Sequence, residues 1–252
     1  MSTAVAIKVA GLHKTYRSGS GPVRALQGID VDIRQGEFVS LIGKSGCGKT
    51  TLLQILAGLI RPSRGQVLLE DMPVAKASRK VGLVFQKSVL LEWRTILDNV
   101  LLPIELFHLS RADYVGRARE LLDMMGLSDF EKSYPDELSG GMQQRAAIVR
   151  SLLYDPDILL MDEPFGALDA MTREQMNLEL LRIWQVSGKT VVFVTHDIAE
   201  AVFLSDRIIL LTERPGRIKE VVRIDLPRPR TLETTYLPEF AAYRRHLREQ
   251  LG

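Results

Sequence analysis

The chain has 252 residues, of which 46% are hydrophobic and 25% charged, a composition typical of a soluble globular protein. Its 33 basic and 31 acidic residues leave a net charge of +2, so the charge balance gives no reason to propose nucleic acid as a partner. One cysteine, Cys47, excludes an internal disulfide, and no apolar run approaches the roughly 20 residues that a membrane-spanning helix requires. The N-terminus lacks a basic segment followed by an apolar core, so we expect no signal peptide and a cytosolic protein.

The first third of the chain predicts strands and one helix. Residues 4–10 and 29–33 alternate apolar and polar positions, as half-buried strands do, and residues 16–22 between them predict a flexible turn. The next predicted elements are a buried strand at 38–42, a helix at 51–58, and strands at 66–70 and 81–85.

The middle of the chain, from about residue 95 to 153, has helical patterns and few strand signals. Ile96, Val100, Ile104 and Leu106 are expected on one side of a short helix that Pro103 interrupts. This segment predicts a helical insertion between two halves of a sheet.

The last third returns to strands. Apolar runs predict strands at 158–161, 190–195 and 207–211, and helical patterns at 170–187 and 197–204 separate them. Continuous apolar strands that alternate with helices predict a parallel sheet covered on both faces. Residues 217–224 resemble an edge strand, and the tail from Leu226 predicts an appendage with a helix at about 238–250.

The segment GKSGCGKT, from Gly43 to Thr50, fits the phosphate-loop pattern G-x-x-x-x-G-K-[ST] between a strand and a helix. Its glycines let backbone N–H groups surround phosphate oxygens, and the start of the helix stabilises an anion. Lys49 can reach the outer phosphates, and the hydroxyl of Thr50 is placed to bind Mg²⁺. Without a phosphate, the same pattern would be a plain strand-to-helix turn.

Two carboxylates, Asp162 and Glu163, directly follow the buried strand at 158–161. Ligands bind at this end of the strands in parallel sheets. Because side chains alternate along a strand, one carboxylate can face Mg²⁺ and the other can act as a general base toward water. A solvated acidic strand end is the alternative.

A third motif, LSGGM, opens another helix at Leu138. Ser139 is a good N-cap, and Gly140 and Gly141 let the backbone approach an anion closely.

Together these segments resemble the nucleotide-binding subunit of ATP-binding cassette (ABC) transporters over residues 4–215. The resemblance implies an α/β fold of the P-loop NTPase (RecA-like) type, with a mostly parallel sheet, an added antiparallel β part and an inserted α-helical subdomain. The implied domains are a nucleotide-binding core at 1–87 and 154–225, the helical subdomain at 88–153 and a C-terminal tail at 226–252.

The resemblance also implies roles for individual residues, with ATP and Mg²⁺ as cofactors. The implied catalytic residues are Glu163, His196 (the switch histidine) and Gln86 (the glutamine loop). The implied metal ligands are Thr50, Gln86 and Asp162. The implied nucleotide-binding residues are Tyr16 (stacking on adenine), Gly43, Lys44, Ser45, Gly46, Cys47, Gly48, Lys49, Thr50, Thr51, Ser139, Gly140, Gly141 and Asp169, the last within the D-loop Ala167-Leu168-Asp169.

Within the family, LSGGM and the segments 93–100 and 161–170 resemble the importer group for nitrate, sulfonate, taurine and related solutes. The implied partners are a second copy in a head-to-tail ATP-sandwich dimer, integral membrane permease subunits and, indirectly, a solute-binding protein. The implied location is peripheral, on the cytoplasmic face of the inner membrane. Leu90, Leu91 and Trp93, in the loop after Gln86, are candidates for a permease docking groove. The alternative is that they pack under the helical insertion.

Three alternatives stay open at this point. The chain could be a soluble ABC ATPase outside transport, such as one that serves iron–sulfur assembly. It could be a small-molecule kinase with a phosphate loop, or a nucleotide-binding structural module without ATPase activity.

Overall fold

The computed structural model describes residues 4–19, 21–166 and 168–252, and within them it has ten strands and seven α-helices. The strands are β1 (Val5–Ser18), β2 (Gly21–Arg34), β3 (Phe38–Ile42), β4 (Arg64–Leu69), β5 (Met72–Pro73), β6 (Val81–Val84), β7 (Ile158–Asp162), β8 (Thr190–Val194), β9 (Arg207–Leu211) and β10 (Ile218–Arg223). The helices are α1 (Lys49–Leu56), α2 (Ile96–Leu106), α3 (Arg111–Met124), α4 (Gly140–Leu152), α5 (Ala170–Ser187), α6 (Ile198–Leu204) and α7 (Pro238–Leu251). Short 3₁₀ turns occupy Ser128–Phe130, Pro135–Glu137 and Leu232–Tyr236.

The larger sheet has the order β10-β9-β3-β8-β7-β6, and its strands are parallel except for β10, which pairs antiparallel with β9 at one edge. A second sheet, β2-β1-β4-β5, is antiparallel. This is the predicted α/β architecture with a mostly parallel sheet, an antiparallel part and a helical segment, α2 to α4, between β6 and β7.

The parallel strands are buried on both faces because successive side chains enter different cores. On β3, Phe38 and Ile42 belong to the core shared with the helices after β6, whereas Val39 and Leu41 face the core shared with α1 and the antiparallel sheet. Among the described residues, no helix is both long and apolar enough to span a membrane.

The β1–β2 hairpin differs from the predicted turn at 16–22. The two strands stay paired as far as Ser18 and Gly21, and Tyr16 pairs with Val23 inside the ladder. Pro22 is tolerated because β2 is an edge strand, where a missing N–H leaves no partner unpaired. Tyr16 is therefore held by a strand, while Ser20 at the turn lies outside the described residues.

The prediction that Pro103 interrupts its helix is wrong, because α2 continues through it to Leu106. Ile96, Val100 and Ile104 are fully buried and hold the helix against the core. Leu106 was predicted on the same side of the helix as Ile104, but it is 66% exposed. It lies two residues after Ile104, which places its side chain about 200° away around the helix axis.

The C-terminal segment is part of the core and not a loose appendage. Phe240 and Leu247 of α7 are buried in the main hydrophobic core. Arg230 is buried and its Nη1 donates to the carbonyls of Val202, Phe203 and Ser205, at the end of α6. The division of the chain into domains with the predicted boundaries stays a prediction.

Candidate functional site

The phosphate-loop segment connects β3 to α1, as the sequence predicts. Gly48 precedes the helix with φ of 107°, a backbone conformation that strains any residue with a side chain, and a Cβ there would also lie 3.0 Å from the carbonyl of Ala25. Nζ of Lys49 donates to the carbonyl of Gly43 at 2.8 Å and to that of Lys44 at 3.3 Å. The buried lysine therefore lies across the inside of the loop, at the N-terminus of a helix that favours anions.

Asp162 lies beneath this loop, at the end of β7. Its side chain is buried and accepts a hydrogen bond from the hydroxyl of Thr50. Burial raises the pKa of Asp162, an effect that the Thr50 hydrogen bond and the charge of Lys49 oppose. A carboxylate and a hydroxyl are thus paired next to the phosphate loop, and both are oxygen ligands of the kind that Mg²⁺ prefers.

Glu163 follows with φ of 45°, in the left-handed region that a residue with a side chain rarely adopts. Its N–H donates to the carbonyl of Val194 at 2.9 Å. Its Oε2 lies 3.1 Å from Nδ1 of His196 and accepts from Nε2 of Gln86 at 3.3 Å. These three side chains come from the ends of β7, β8 and β6, so the sheet edge brings them together.

A pocket of about 410 Å³ joins these groups. The residues that line it are Tyr16, Val23, Ala25, Ser45, Gly46, Gly48, Lys49, Thr50, Thr51, Gln86, Glu163, His196 and Arg214. The hydroxyl of Tyr16 lies 3.4 Å from that of Thr51, which links the β1–β2 hairpin to α1 at one side of the pocket.

Lys44 and Cys47 were predicted with the loop, but their side chains do not face the pocket. Nζ of Lys44 donates to Glu213 at 2.8 Å, on the outer side of the loop. Cys47 is 1% exposed and packs into the core behind it. Neither these two residues nor Gly43 lines the pocket.

The motif at Ser139 is elsewhere on the surface. Ser139 caps α4 as predicted, because its hydroxyl accepts from the N–H of Met142 at 3.3 Å. Ser139 and Gly140 are exposed, and neither they nor Gly141 line the pocket. The predicted nucleotide-binding residues Ser139, Gly140 and Gly141 are therefore not brought to the phosphate loop of their own chain.

Asp169 is also outside the pocket. It caps α5, because its carboxylate accepts from the N–H and the hydroxyl of Thr172 at 3.1 and 2.6 Å. These hydrogen bonds lower the pKa of Asp169. Ala167, in the same predicted D-loop, lies outside the described residues.

Val23, Ala25 and Arg214 line the pocket but were missed by the sequence analysis. Alternation along β2 places Val23 and Ala25 on one face, which a correct prediction of the hairpin would have revealed. Arg214 lies in the loop between β9 and β10, and no motif marks it. Its place depends on how that loop packs against the phosphate loop.

Comparisons with known proteins agree with this arrangement. The family model for ABC transporters matches residues 26–166. An uncharacterized ABC transporter ATP-binding protein of Methanocaldococcus jannaschii, MJ0412, is 49% identical over 243 residues, which cover 96% of this chain and 90% of that protein.

Two relatives are named as importer components. The aliphatic sulfonates import ATP-binding protein SsuB of Bacillus cereus is 42% identical over 226 residues, or 89% of this chain and 88% of that protein. The taurine import ATP-binding protein TauB of a Jannaschia species is 44% identical over 222 residues, which cover 88% of this chain and 82% of that protein.

Two solved structures of the ABC transporter cassette MJ0796 have the same fold. The dimeric cassette matches with a TM-score of 0.80 at 38% identity, covering 86% of this chain and 98% of that one. A dimeric post-hydrolysis state with ADP and Pi matches with a TM-score of 0.79 at 36% identity, with the same coverage. This chain therefore belongs to the family of ABC transporter ATPases.

Proposed function

We propose that this chain is the ATP-hydrolysing subunit of an importer, and that it couples ATP binding and hydrolysis in a head-to-tail dimer to uptake of a small solute through a separate permease. The observation that carries the proposal is the convergence of Glu163, His196 and Gln86 within 3.1 to 3.3 Å, beside a phosphate loop. This convergence provides a base and its orienting partners where the terminal phosphate of ATP would lie.

Nucleotide binding is assigned to the phosphate loop and to Tyr16. Backbone N–H groups from Gly43 to Thr51 surround the phosphates, and Lys49 gives up its carbonyl partners to bind the outer ones. Tyr16 lines the pocket and is 38% exposed. Nζ of Lys14 lies 5.0 Å from the centroid of its ring, and adenine would stack on the other face.

Thr50, Asp162 and Gln86 are the residues that would hold Mg²⁺. They fit this role because the buried Asp162 carboxylate already accepts from Thr50, and a cation would offset the cost of its burial. Within the described ranges, no group of three or more His, Cys, Asp or Glu side chains could hold a metal ion. Phosphate oxygens of ATP would supply further ligands. When bound, Mg²⁺ neutralises charge on the transferred phosphoryl group.

Glu163 orients and deprotonates the attacking water, and His196 contacts the γ-phosphate. The two side chains contact each other, with Glu163 largely shielded and His196 largely exposed. The exposed imidazole is free to turn toward a phosphate while the carboxylate keeps its position at the strand end.

A second copy of the chain supplies what the pocket lacks. Ser139, Gly140 and Gly141 present a capped helix start to solvent, which suits phosphate of a neighbouring chain. Asp169 lies at the start of another helix and is exposed, so it is available to act across the same interface. The dimeric cassette structures at 36–38% identity support this assembly.

An apolar groove of about 680 Å³ is the proposed docking site for a permease helix. Leu83, Phe85, Val89, Leu91 and Leu106 are among its lining residues, and exposed apolar surface of this kind suits a partner helix. Trp93, two residues after Leu91, is 75% exposed. Leu90 is half-buried against the core and does not line the groove.

The groove is linked to the nucleotide pocket through the segment after Gln86. Nε2 of Gln144 donates to the carbonyl of Phe85 at 2.9 Å, and Arg150 donates to the carbonyls of Ser88 and Val89 at 2.9 and 2.8 Å. Movement of Gln86 on nucleotide binding would therefore displace both α4 and the wall of the groove. On this proposal the chain would act peripherally, on the cytoplasmic face of the membrane that holds the permease.

The sulfonate and taurine import relatives support a small sulfonate-like or nitrate-like solute, delivered by a solute-binding protein. The test is ATPase activity of the chain with its permease in proteoliposomes, with candidate solutes and binding protein supplied on the opposite side. Stimulation by a sulfonate, taurine or nitrate is expected. Normal stimulation in a Glu163→Gln complex, or a phosphorylated small molecule in place of free phosphate, would overturn the proposal.

A further inference from the structure

Arg214 is a charged residue of the pocket that neither the phosphate loop nor the hydrolytic group includes. It lies in the loop 212–217 between β9 and β10, on the side of the pocket that Val23 and Ala25 of β2 also line. The loop reaches this place because its backbone pairs with β2: the N–H of Gly216 donates to Ala25 and the N–H of Gln27 donates to Gly216, both at 2.9 Å.

The loop is held in one conformation by its own contacts. The hydroxyl of Thr212 accepts from the N–H of Arg217 at 3.0 Å and lies 3.1 Å from the carbonyl of Pro215, to which it can donate. A Cβ at Gly216 would lie 2.2 Å from the carbonyl of Cys47, so the loop touches the back of the phosphate loop at this point. The base of the Arg214 side chain is therefore fixed relative to the phosphate loop by contacts within the chain.

The guanidinium of Arg214 is only partly used. Its Nε donates to the carbonyl of Gly46 at 3.2 Å, and within the described residues its two Nη atoms have no hydrogen-bond partner. The neighbouring carboxylate, Glu213, is paired with Lys44 on the outer side of the loop. Arg214 thus brings an uncompensated positive charge and free donors to the pocket wall beside Gly46.

We propose that Arg214 is a further phosphate-binding residue of the nucleotide site, which donates from its Nη atoms to the phosphate chain of a nucleoside di- or triphosphate. Phosphate is the favoured target because the guanidinium is anchored to the phosphate loop itself, and because its planar donors match phosphate oxygens. The inference rests on the proposed nucleotide site but requires neither the dimer nor the permease.

The test is equilibrium binding of ATP and ADP to the purified full chain with Arg214→Ala, Arg214→Lys and Arg214→Gln. The Ala and Gln variants should bind both nucleotides about tenfold more weakly. This loss lies between the loss expected for an exposed ion pair and that for a buried hydrogen bond to a charged group. The Lys variant should retain part of the affinity, because it keeps the charge. The difference between wild type and Arg214→Ala should shrink as salt is raised, since an exposed charge is screened.

Arg217→Ala is the matched control, because Arg217 lies in the same loop and donates to Gln27 at 2.8 Å without lining the pocket. It should bind ATP within about twofold of wild type, as a surface substitution away from the site. Thermal unfolding without nucleotide identifies any variant that fails to fold. The variants that fold then show whether Arg214 contributes to nucleotide affinity.

Two results would overturn this inference alone. Affinity of Arg214→Ala within twofold of wild type would exclude a contact with phosphate. Wild-type affinity in Arg214→Gln with weak binding in Arg214→Lys would mean that the side chain only braces the Gly46 carbonyl. A wild-type chain that binds no ATP would overturn the nucleotide site and this inference together.

Discussion

Oε2 of Glu163 lies 3.1 Å from Nδ1 of His196, although the two residues are separated by a helix and a strand in the chain. The contact exists because β7 and β8 are parallel neighbours whose C-terminal ends meet at one sheet edge. The left-handed backbone at Glu163 turns its side chain toward that edge. A strained conformation at this point is consistent with a functional role.

Glu163→Gln should keep ATP binding and lower turnover roughly 10²- to 10⁴-fold, the usual contribution of a general base. The amide keeps the size of the side chain but cannot accept a proton from water. Release of phosphate and binding of ATP, measured on the same preparation, check this. Turnover equal to wild type would remove Glu163 from the role of base.

Lys49→Ala should abolish detectable ATP binding at micromolar nucleotide, because the variant loses the buried cation inside the loop. Lys44→Ala is the matched control, since its side chain pairs with Glu213 outside the pocket. Its ATP affinity should stay within about threefold of wild type, as expected for loss of an exposed ion pair. Equal losses in the two variants would contradict the geometry of the loop.

Glu200 should make stability depend on pH. Burial, more than any other cause, raises the pKa of Glu200 from 4.5 to about 7. The hydrogen bond from Thr195 and the charge of Arg173 lower this pKa, whereas the charges of Asp197 and Glu163 raise it further. The folded state therefore holds this proton more tightly than the unfolded state, so its contribution is fully present below pH 4.5 and is lost as pH rises through about 7. The loss should approach about 3 kcal/mol.

The measurement for Glu200 is urea unfolding of wild type and Glu200→Gln between pH 5 and 7.5. The amide resembles the protonated carboxyl and does not titrate, so the difference in free energy of unfolding should shift in favour of the variant as pH rises. A difference that is constant across this range would show that Glu200 has an ordinary pKa.

Arg230→Met should destabilise the fold by about 2–4 kcal/mol, because it leaves buried carbonyls at the end of α6 without a donor. Burial lowers the pKa of Arg230 to about 10, so the guanidinium still carries its charge at neutral pH. Arg245→Met, at an exposed position of α7, is the control and should change stability by less than about 0.5 kcal/mol. Similar urea midpoints for both variants would mean that the tail does not support α6.

The sequence predicts the parallel sheet and most of the pocket because their signals are local. The phosphate loop, the carboxylates after β7 and His196 after β8 each follow a continuous apolar strand, and a parallel sheet has to bring such positions to one edge. Arg214 carries no comparable signal, because its place depends on a loop that packs against a distant part of the chain.

The misplaced elements have similar causes. Pro103 disfavours a helix locally, but burial of Ile96, Val100 and Ile104 outweighs that preference. Between residues 11 and 22 apolar and polar side chains of the hairpin do not alternate, so periodicity cannot reveal that its strands stay paired there. The C-terminal tail is buried through tertiary contacts of Arg230 and Phe240. The prolines and charged residues of the tail do not indicate these contacts, so they could not be predicted from its composition.

The most direct test of the ATP-sandwich dimer is the mass of the Glu163→Gln chain in sedimentation with and without saturating ATP and Mg²⁺. Without ATP it should sediment as one chain of 28.3 kDa, and with ATP as two. Ser139→Glu in the same background places a negative charge where a phosphate should bind, so it should stay at the mass of one chain. A Glu163→Gln chain that has ATP bound yet remains monomeric, alone and in the presence of its permease subunits, would contradict the dimer.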